Sequence, residues 1–164
     1  MTHARTALFT LNADGSYQPA DTETIVGVAR ECLDAMFVRG EPMTSPALTR
    51  SFLSLRLAKL PHEVFAVLFL DARLHVLEYR EMFRGTLTQT SVYPREIVKE
   101  ALTLNAGSVV LAHNHPTGVP DPSQADELLT RTIKSTLALV DVRVIDHVVV
   151  GGGATFSFAE NGLL

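Results

Sequence analysis

His113, His115, Ser123 and Asp126 all lie in the stretch LAHNHPTGVPDPSQAD, Leu111 to Asp126. Two imidazoles and a carboxylate form a three-ligand set that leaves one tetrahedral position open, the pattern of catalytic rather than structural zinc. A zinc ion held there would make a water nucleophilic near neutral pH. Alternation along a strand sends Val109, Leu111, His113 and His115 to one face, so the two imidazoles converge at a strand end. The loop PTGVPDP is stiffened by proline and lets backbone approach a ligand closely at glycine. Asp126 then falls on the side of the following helix that carries Leu129 and Ile133, which faces the sheet. Ser-x-x-Asp is also a helix-capping arrangement, and a histidine at a strand end is often solvated. The four residues in combination favour the metal site.

A hydrolytic metal site also needs a general base close to the ion. Glu63 opens an apolar segment, in line with Phe65, Val67 and Phe69, and reaches the histidines only if that segment ends beside Ala112. Glu78 and Glu81 compete for the role, and a surface acid beside Lys59 is the plainer reading of Glu63. Asp146 and His147 sit on opposite faces of another segment. Either could orient a metal-bound imidazole, but a satisfied core pair is the preferred reading.

The elements that must position these groups follow from periodicity and punctuation. Met1 to Ala20 is polar and expected to be loosely ordered. Asp21 or Thr22 starts a helix through Phe37, with Ile25, Val26, Ala29, Cys32, Leu33 and Met36 as its apolar stripe, which makes Cys32 a core residue. A second helix starts at Ser45 with Pro46 in its first turn and turns Leu48, Phe52 and Leu55 inward before Pro61. VFAVLFL, Val64 to Leu70, reads as a strand covered on both faces. A turn at 71–73 leads to a strand over 74–79, with His75 pointing to solvent. Residues 85–92 read as extended, 95–104 as a helix, 108–112 as a strand, and 123–137 as a helix whose apolar face is Ala125, Leu128, Leu129, Thr132, Ile133 and Leu137. Strands over 142–150 and 155–158 complete one sheet. Strands and helices mixed around one sheet define an α/β or α+β sandwich.

With 164 residues, 46% of them hydrophobic, one domain with a full core is expected. The chain divides into a helical lead over residues 1–58, packed on a metal-binding domain over 59–164. One cysteine rules out an internal disulfide or a cysteine zinc cluster. A net charge of −4 with interspersed signs gives no global attraction to nucleic acid. Without an apolar span of membrane length or a secretory leader, no membrane association and a cytoplasmic location are expected.

His113-x-His115-Pro116-x-Gly118 followed by Pro122-Ser123-x-x-Asp126 resembles the JAMM signature of the JAB/MPN metalloprotease superfamily, and in detail its RadC branch, historically called DNA repair proteins. The likeness runs from about Glu63 through FRGTLTQTSVYPREIVKEAL, DVRVIDHVVVGG and FSFAENGLL. It implies a single JAB/MPN-type domain with a curved mixed sheet flanked by helices, and zinc held by His113, His115 and Asp126. It also gives Glu63 the zinc water and Ser123 a part in polarising the scissile carbonyl. Longer RadC proteins resemble two-part molecules with helix-hairpin-helix elements, whereas the first 60 residues here lack the glycine-bearing hairpin and look like the short type found on mobile elements.

The expected activity is therefore a zinc-dependent peptidase or isopeptidase acting on a peptide or protein substrate. Direct nucleic-acid binding by this chain alone is not expected, since only Arg95, Lys99, Arg131 and Lys134 hint at a basic surface. The alternative is a DNA-repair or mobile-element accessory protein without peptidase activity. A scaffold would not need the full ligand set, and non-haem iron fits less well beside a dedicated acid at Glu63.

Overall fold

Seven apolar residues in succession, Val64–Leu70, offer no polar face, so the strand they form has to be covered on both sides. The computed structural model describes residues 7–43, 45–85 and 91–164. Its elements in chain order are β1 (Phe9–Leu11), β2 (Tyr17–Pro19), α1 (Thr22–Met36), α2 (Pro46–Leu57), β3 (Val64–Leu70), β4 (Val76–Arg84), α3 (Pro94–Thr103), β5 (Ser108–Asn114), α4 (Gln124–Ala138), β6 (Arg143–Gly151) and β7 (Ala154–Ser157). The last five strands form one mixed sheet, ordered β4-β3-β5-β6-β7. Only β5 and β6 are parallel, and α4 makes the crossover that a parallel pair requires. The fold is α+β, as the sequence leads one to expect.

Alternation along β3 and β5 divides the core in two. Val64, Ala66, Leu68, Leu70, Val110 and Ala112 meet Phe52, Leu53 and Leu57 of α2 on one face. Phe65, Val67, Phe69, Val109 and Leu111 meet Ile97 and Ala101 of α3 and Ile133 and Leu137 of α4 on the other. The second face carries His113, whose ring stacks on Phe65 at 6.2 Å.

The N-terminal region departs from expectation. Residues 9–19 form a β-hairpin rather than loose chain, because Asp14 accepts from both the amide and the hydroxyl of Ser16 and Gly15 supplies a φ of +84°. α1 starts as expected, with Asp21 capping Thr24, but none of its residues is fully buried. Cys32 is exposed, since α1 packs mainly against α2 and, of its stripe, Leu33 is the residue that packs against the buried core.

Three other elements are rotated or shifted. α2 buries Thr49, Phe52, Leu53 and Leu57, with Leu48 and Leu55 only partly covered. α4 buries Thr130, Ile133 and Leu137, leaving Leu128 61% exposed, because the stripe continuing from Asp126 is the one that faces β6. The strand expected at 74–79 starts at Val76 and runs on to Arg84, Leu74 being held at φ +65° in the turn. His75 closes that turn on Asp71 at 3.0 Å instead of standing in solvent. The extended segment expected over 85–92 falls largely outside the described residues, and Ser91 and Val92 are irregular. No helix among the described residues is long and apolar enough to cross a membrane.

Candidate metal centre

The end of β5 delivers His113 and His115 to one side of the sheet, and the first turn of α4 brings Asp126 to meet them. The two Nε2 atoms are 3.0 Å apart, and Asp126 places Oδ1 3.4 Å from Nε2 of His113 and Oδ2 3.7 Å from Nε2 of His115. One ligand atom from each residue lies within 4.8 Å of the others, close enough for the group to hold a metal ion.

The donor chemistry supports that use. Nδ1 of His115 lies 2.8 Å from the carbonyl oxygen of Val119, which can only accept, so it carries the proton and leaves the Nε2 lone pair for a ligand. Nδ1 of His113 is likewise engaged, 2.8 Å from Nε2 of His147. Imidazole lone pairs and a carboxylate aimed at one point repel one another unless a cation, proton or metal, lies among them.

Titration behaviour separates the three residues. Burial pushes His113 down to about 4, against the opposing pull of Asp126. Donation of a hydrogen bond to the Asp126 carboxylate raises His115, and its partial burial does not cancel that effect. Burial works to raise Asp126, but the bond to His115, the charge of His113 and the bonds from Ser123 outweigh it and keep the carboxyl well below its usual range.

Ser123 and Asp126 also form the expected capping box. The Ser123 hydroxyl donates to Oδ2 of Asp126 at 2.6 Å, its amide donates to the same oxygen at 2.7 Å, and the Asp126 amide donates back to Oγ at 3.2 Å. The capping and ligand readings of Asp126 are thus compatible, because the cap fixes the carboxylate that faces the histidines.

Glu63 lies beside this group. The antiparallel pairing of β3 with β5 sets Phe65 opposite His113, and Glu63 stands immediately before β3 at that same end of the sheet. Its negative charge contributes to raising His115. The competing acids lie elsewhere. Glu78 is opposite Phe69, which pairs with Val109 at the far end of β5, and is bound by Arg80 at 2.8 Å. Glu81 is exposed and its charge acts on Tyr79, a residue of the α2 side of the sheet.

Three further residues complete the site, His147 in the less favoured of its two expected roles and Thr130 and Asn114 without any sequence expectation. His147 is fully buried and stands against His113 instead of forming a core pair with Asp146, which faces the other way and binds Ser157 and Ala159. Thr130, one turn after Asp126, contacts Nδ1 of His147 at 2.6 Å. Asn114, buried between the two histidines in sequence, accepts from the Val64 amide at 2.8 Å and donates to the His62 carbonyl at 3.0 Å. It therefore grips the backbone on both sides of Glu63.

The loop that orients His115 is held by glycines. A Cβ on Gly151 would lie 2.6 Å from the Val119 carbonyl carbon, and one on Gly152 would lie 2.7 Å from the Gly118 oxygen. Any side chain at 151 would displace the carbonyl that receives the His115 proton.

Residues 43–163, from just before α2 to the C-terminal turn, match the RadC-like JAB domain family. The UPF0758 protein of Marinobacter nauticus is 49% identical over 164 residues, covering 100% of this chain and 73% of that protein. That of Leptothrix cholodnii is 50% identical over 157 residues, covering 96% of this chain and 71% of its own. A third, from Polaromonas sp., is 51% identical over 158 residues, 96% of this chain and 70% of that protein. These relatives are longer than the chain described, and their names state no activity. A sheet end carrying His113 and His115 opposite a helix start carrying Asp126, in a chain matched over most of its length, leads to one conclusion: the chain belongs to the RadC-like JAB domain family.

Proposed function

We propose that the protein is a zinc-dependent metallopeptidase or isopeptidase. The observation that carries this reading is the convergence of the His113, His115 and Asp126 donors, with Glu63 just before β3 at the same end of the sheet and its charge acting on His115. His113, His115 and Asp126 would hold the ion, and two nitrogens with one carboxylate suit zinc that keeps an open position. Bound there, zinc supplies Lewis acidity, which acidifies water and polarises a carbonyl.

The chain's own groups do the proton work. Glu63 takes a proton from the attacking water as the new C–O bond forms, then gives it to the amine as the amide C–N bond breaks. Ser123 keeps Asp126 oriented through its amide, which frees its hydroxyl to turn from Oδ2 toward the carbonyl oxygen of a substrate. The test is elemental analysis of purified protein, with about one zinc per chain expected, joined to an unbiased peptide-cleavage screen. Protein that takes up no zinc on dialysis, or zinc-loaded protein that cleaves nothing, would count against the reading.

Zinc affinity should also depend on pH in a definite direction. A metal has to displace the proton on Nε2 of His115, whose pKa lies above 6.5. Affinity therefore falls as pH is lowered through that range, by about one proton per ion bound. His113 adds competition only near pH 4. Chelator-competition titrations at several pH values would measure the slope, and an affinity flat across this range would contradict the ligand assignment.

Tight sequence-specific DNA binding is not part of this proposal. Arg95 and Lys99 share Glu96, and Arg131 is paired with Glu127, so three of the four basic residues on α3 and α4 are engaged with local carboxylates.

A further inference from the structure

His147 lies on β6, which supplies no ligand to the site, yet it links both ends of the ligand set. Nδ1 of His113 is 2.8 Å from Nε2 of His147, Nδ1 of His147 is 2.6 Å from Oγ1 of Thr130, and Oγ1 of Thr130 is 2.6 Å from the backbone carbonyl of Asp126. His147, Thr130 and His113 are all nearly or fully buried, so these contacts have no water to relieve them.

Protons can be assigned along this chain by elimination. The Asp126 carbonyl can only accept, so the single hydroxyl proton of Thr130 goes to it; otherwise two oxygens would face each other at 2.6 Å with no hydrogen between them. Thr130 Oγ1 is then the acceptor for His147, which carries its proton on Nδ1. A neutral imidazole has one donor and one acceptor nitrogen, so Nε2 of His147 accepts and Nδ1 of His113 donates. Nε2 of His113 is left with its lone pair directed at His115 and Asp126.

We infer that Thr130 and His147 are positioning residues that fix the tautomer of His113, and that a hydroxyl two hydrogen bonds away decides whether this ring can ligate metal. The inference rests on the metal-site reading above, but not on any peptidase activity. The usual partner of a metal-bound imidazole is a carboxylate, carbonyl or water. A neutral imidazole in that place orients the ring without adding charge, which leaves Asp126 as the one anionic donor of the three.

The test uses Thr130→Val, which keeps the shape and removes the hydroxyl, with Thr130→Ser as the conservative control. In Thr130→Val, Nδ1 of His147 has no acceptor, so its proton can move to Nε2 and drive the His113 proton onto the nitrogen needed for metal. Long-range nitrogen–proton NMR of the metal-free protein should show His113 and His147 protonated on Nδ1 in the parent and in Thr130→Ser, and a loss of that form in Thr130→Val. Zinc affinity measured by chelator competition should fall by about tenfold or more in Thr130→Val and return to the parent value in Thr130→Ser. A parent His113 protonated on Nε2 overturns the inference even if a variant fails to fold, and so does parent-like zinc affinity in a folded Thr130→Val. A parent with the expected tautomers that binds no zinc supports the relay and defeats the metallopeptidase reading instead.

Discussion

Glu63→Gln is expected to leave the zinc content close to that of the parent while hydrolysis of an amide substrate falls by about a hundredfold to ten-thousandfold, the range for a lost general base. Glutamine keeps the length and a hydrogen-bonding oxygen, so the backbone grip of Asn114 on residues 62 and 64 is untouched. What is lost is the ability to take a proton. Removing the negative charge of Glu63 takes away one of the influences that raise His115, so proton competition at Nε2 weakens slightly. The same lost charge also attracts the zinc ion less, so the two effects oppose each other and zinc content near neutral pH should stay close to that of the parent. Turnover and metal content measured on the same preparation decide the matter. If Glu63→Gln keeps full activity while Glu78→Gln abolishes it, the base has been misassigned, although Glu78 lies at the far end of β3 in the grip of Arg80.

The cluster of His113, His115 and Asp126 could be read from the sequence because it is local. His113 and His115 are one strand period apart, and Asp126 is fixed by a cap that needs only Ser123 three residues earlier. Glu63 is fifty residues before His113, and its place depends on the register of β3 against β5, which is set by packing across the sheet and has no local signal. His147 was harder still. The irregularity in the β5–β6 pairing between Val109 and Val110 resets which residues of β6 share a face with His113, so simple alternation could not choose between Asp146 and His147. Thr130 reads as a polar interruption of an apolar helix face until the strand behind it is known.

The N-terminal hairpin and the exposure of α1 are hidden from the sequence for a different reason. An Asp-Gly pair between short segments carrying Phe9, Leu11 and Tyr17 is a hairpin signal, but three-residue strands fall below the length at which alternation is visible. The α1 stripe is amphipathic without being buried, because periodicity shows that a face is apolar and not that a neighbour covers it. Cys32 is exposed for the same reason.

Asp126→Asn should have a larger effect on metal than any change outside the ligand set. An amide carries no charge and is a weak zinc donor, so affinity should fall by more than the roughly hundredfold that marks the upper range for loss of an outer partner. Hydrolysis should disappear with it, in contrast to Glu63→Gln, where metal and turnover separate. Folding should change little. The remaining carbonyl oxygen of Asn can still accept from the Ser123 amide, and a weakened cap lowers stability by about 1 kcal/mol. The variant also loses the hydrogen bond that is the main cause of the raised His115 pKa, so His115 should titrate at lower pH than in the parent. Residual zinc binding in Asp126→Asn should then hold its strength down to a lower pH than parent binding does, while remaining weaker throughout. Elemental analysis, chelator competition over pH and thermal melts of the metal-free protein measure these three effects separately. Parent-like zinc affinity in a folded Asp126→Asn would mean that Asp126 is a cap and not a ligand. A parallel loss of fold and metal would mean that the carboxylate holds α4 in place first and the ion second.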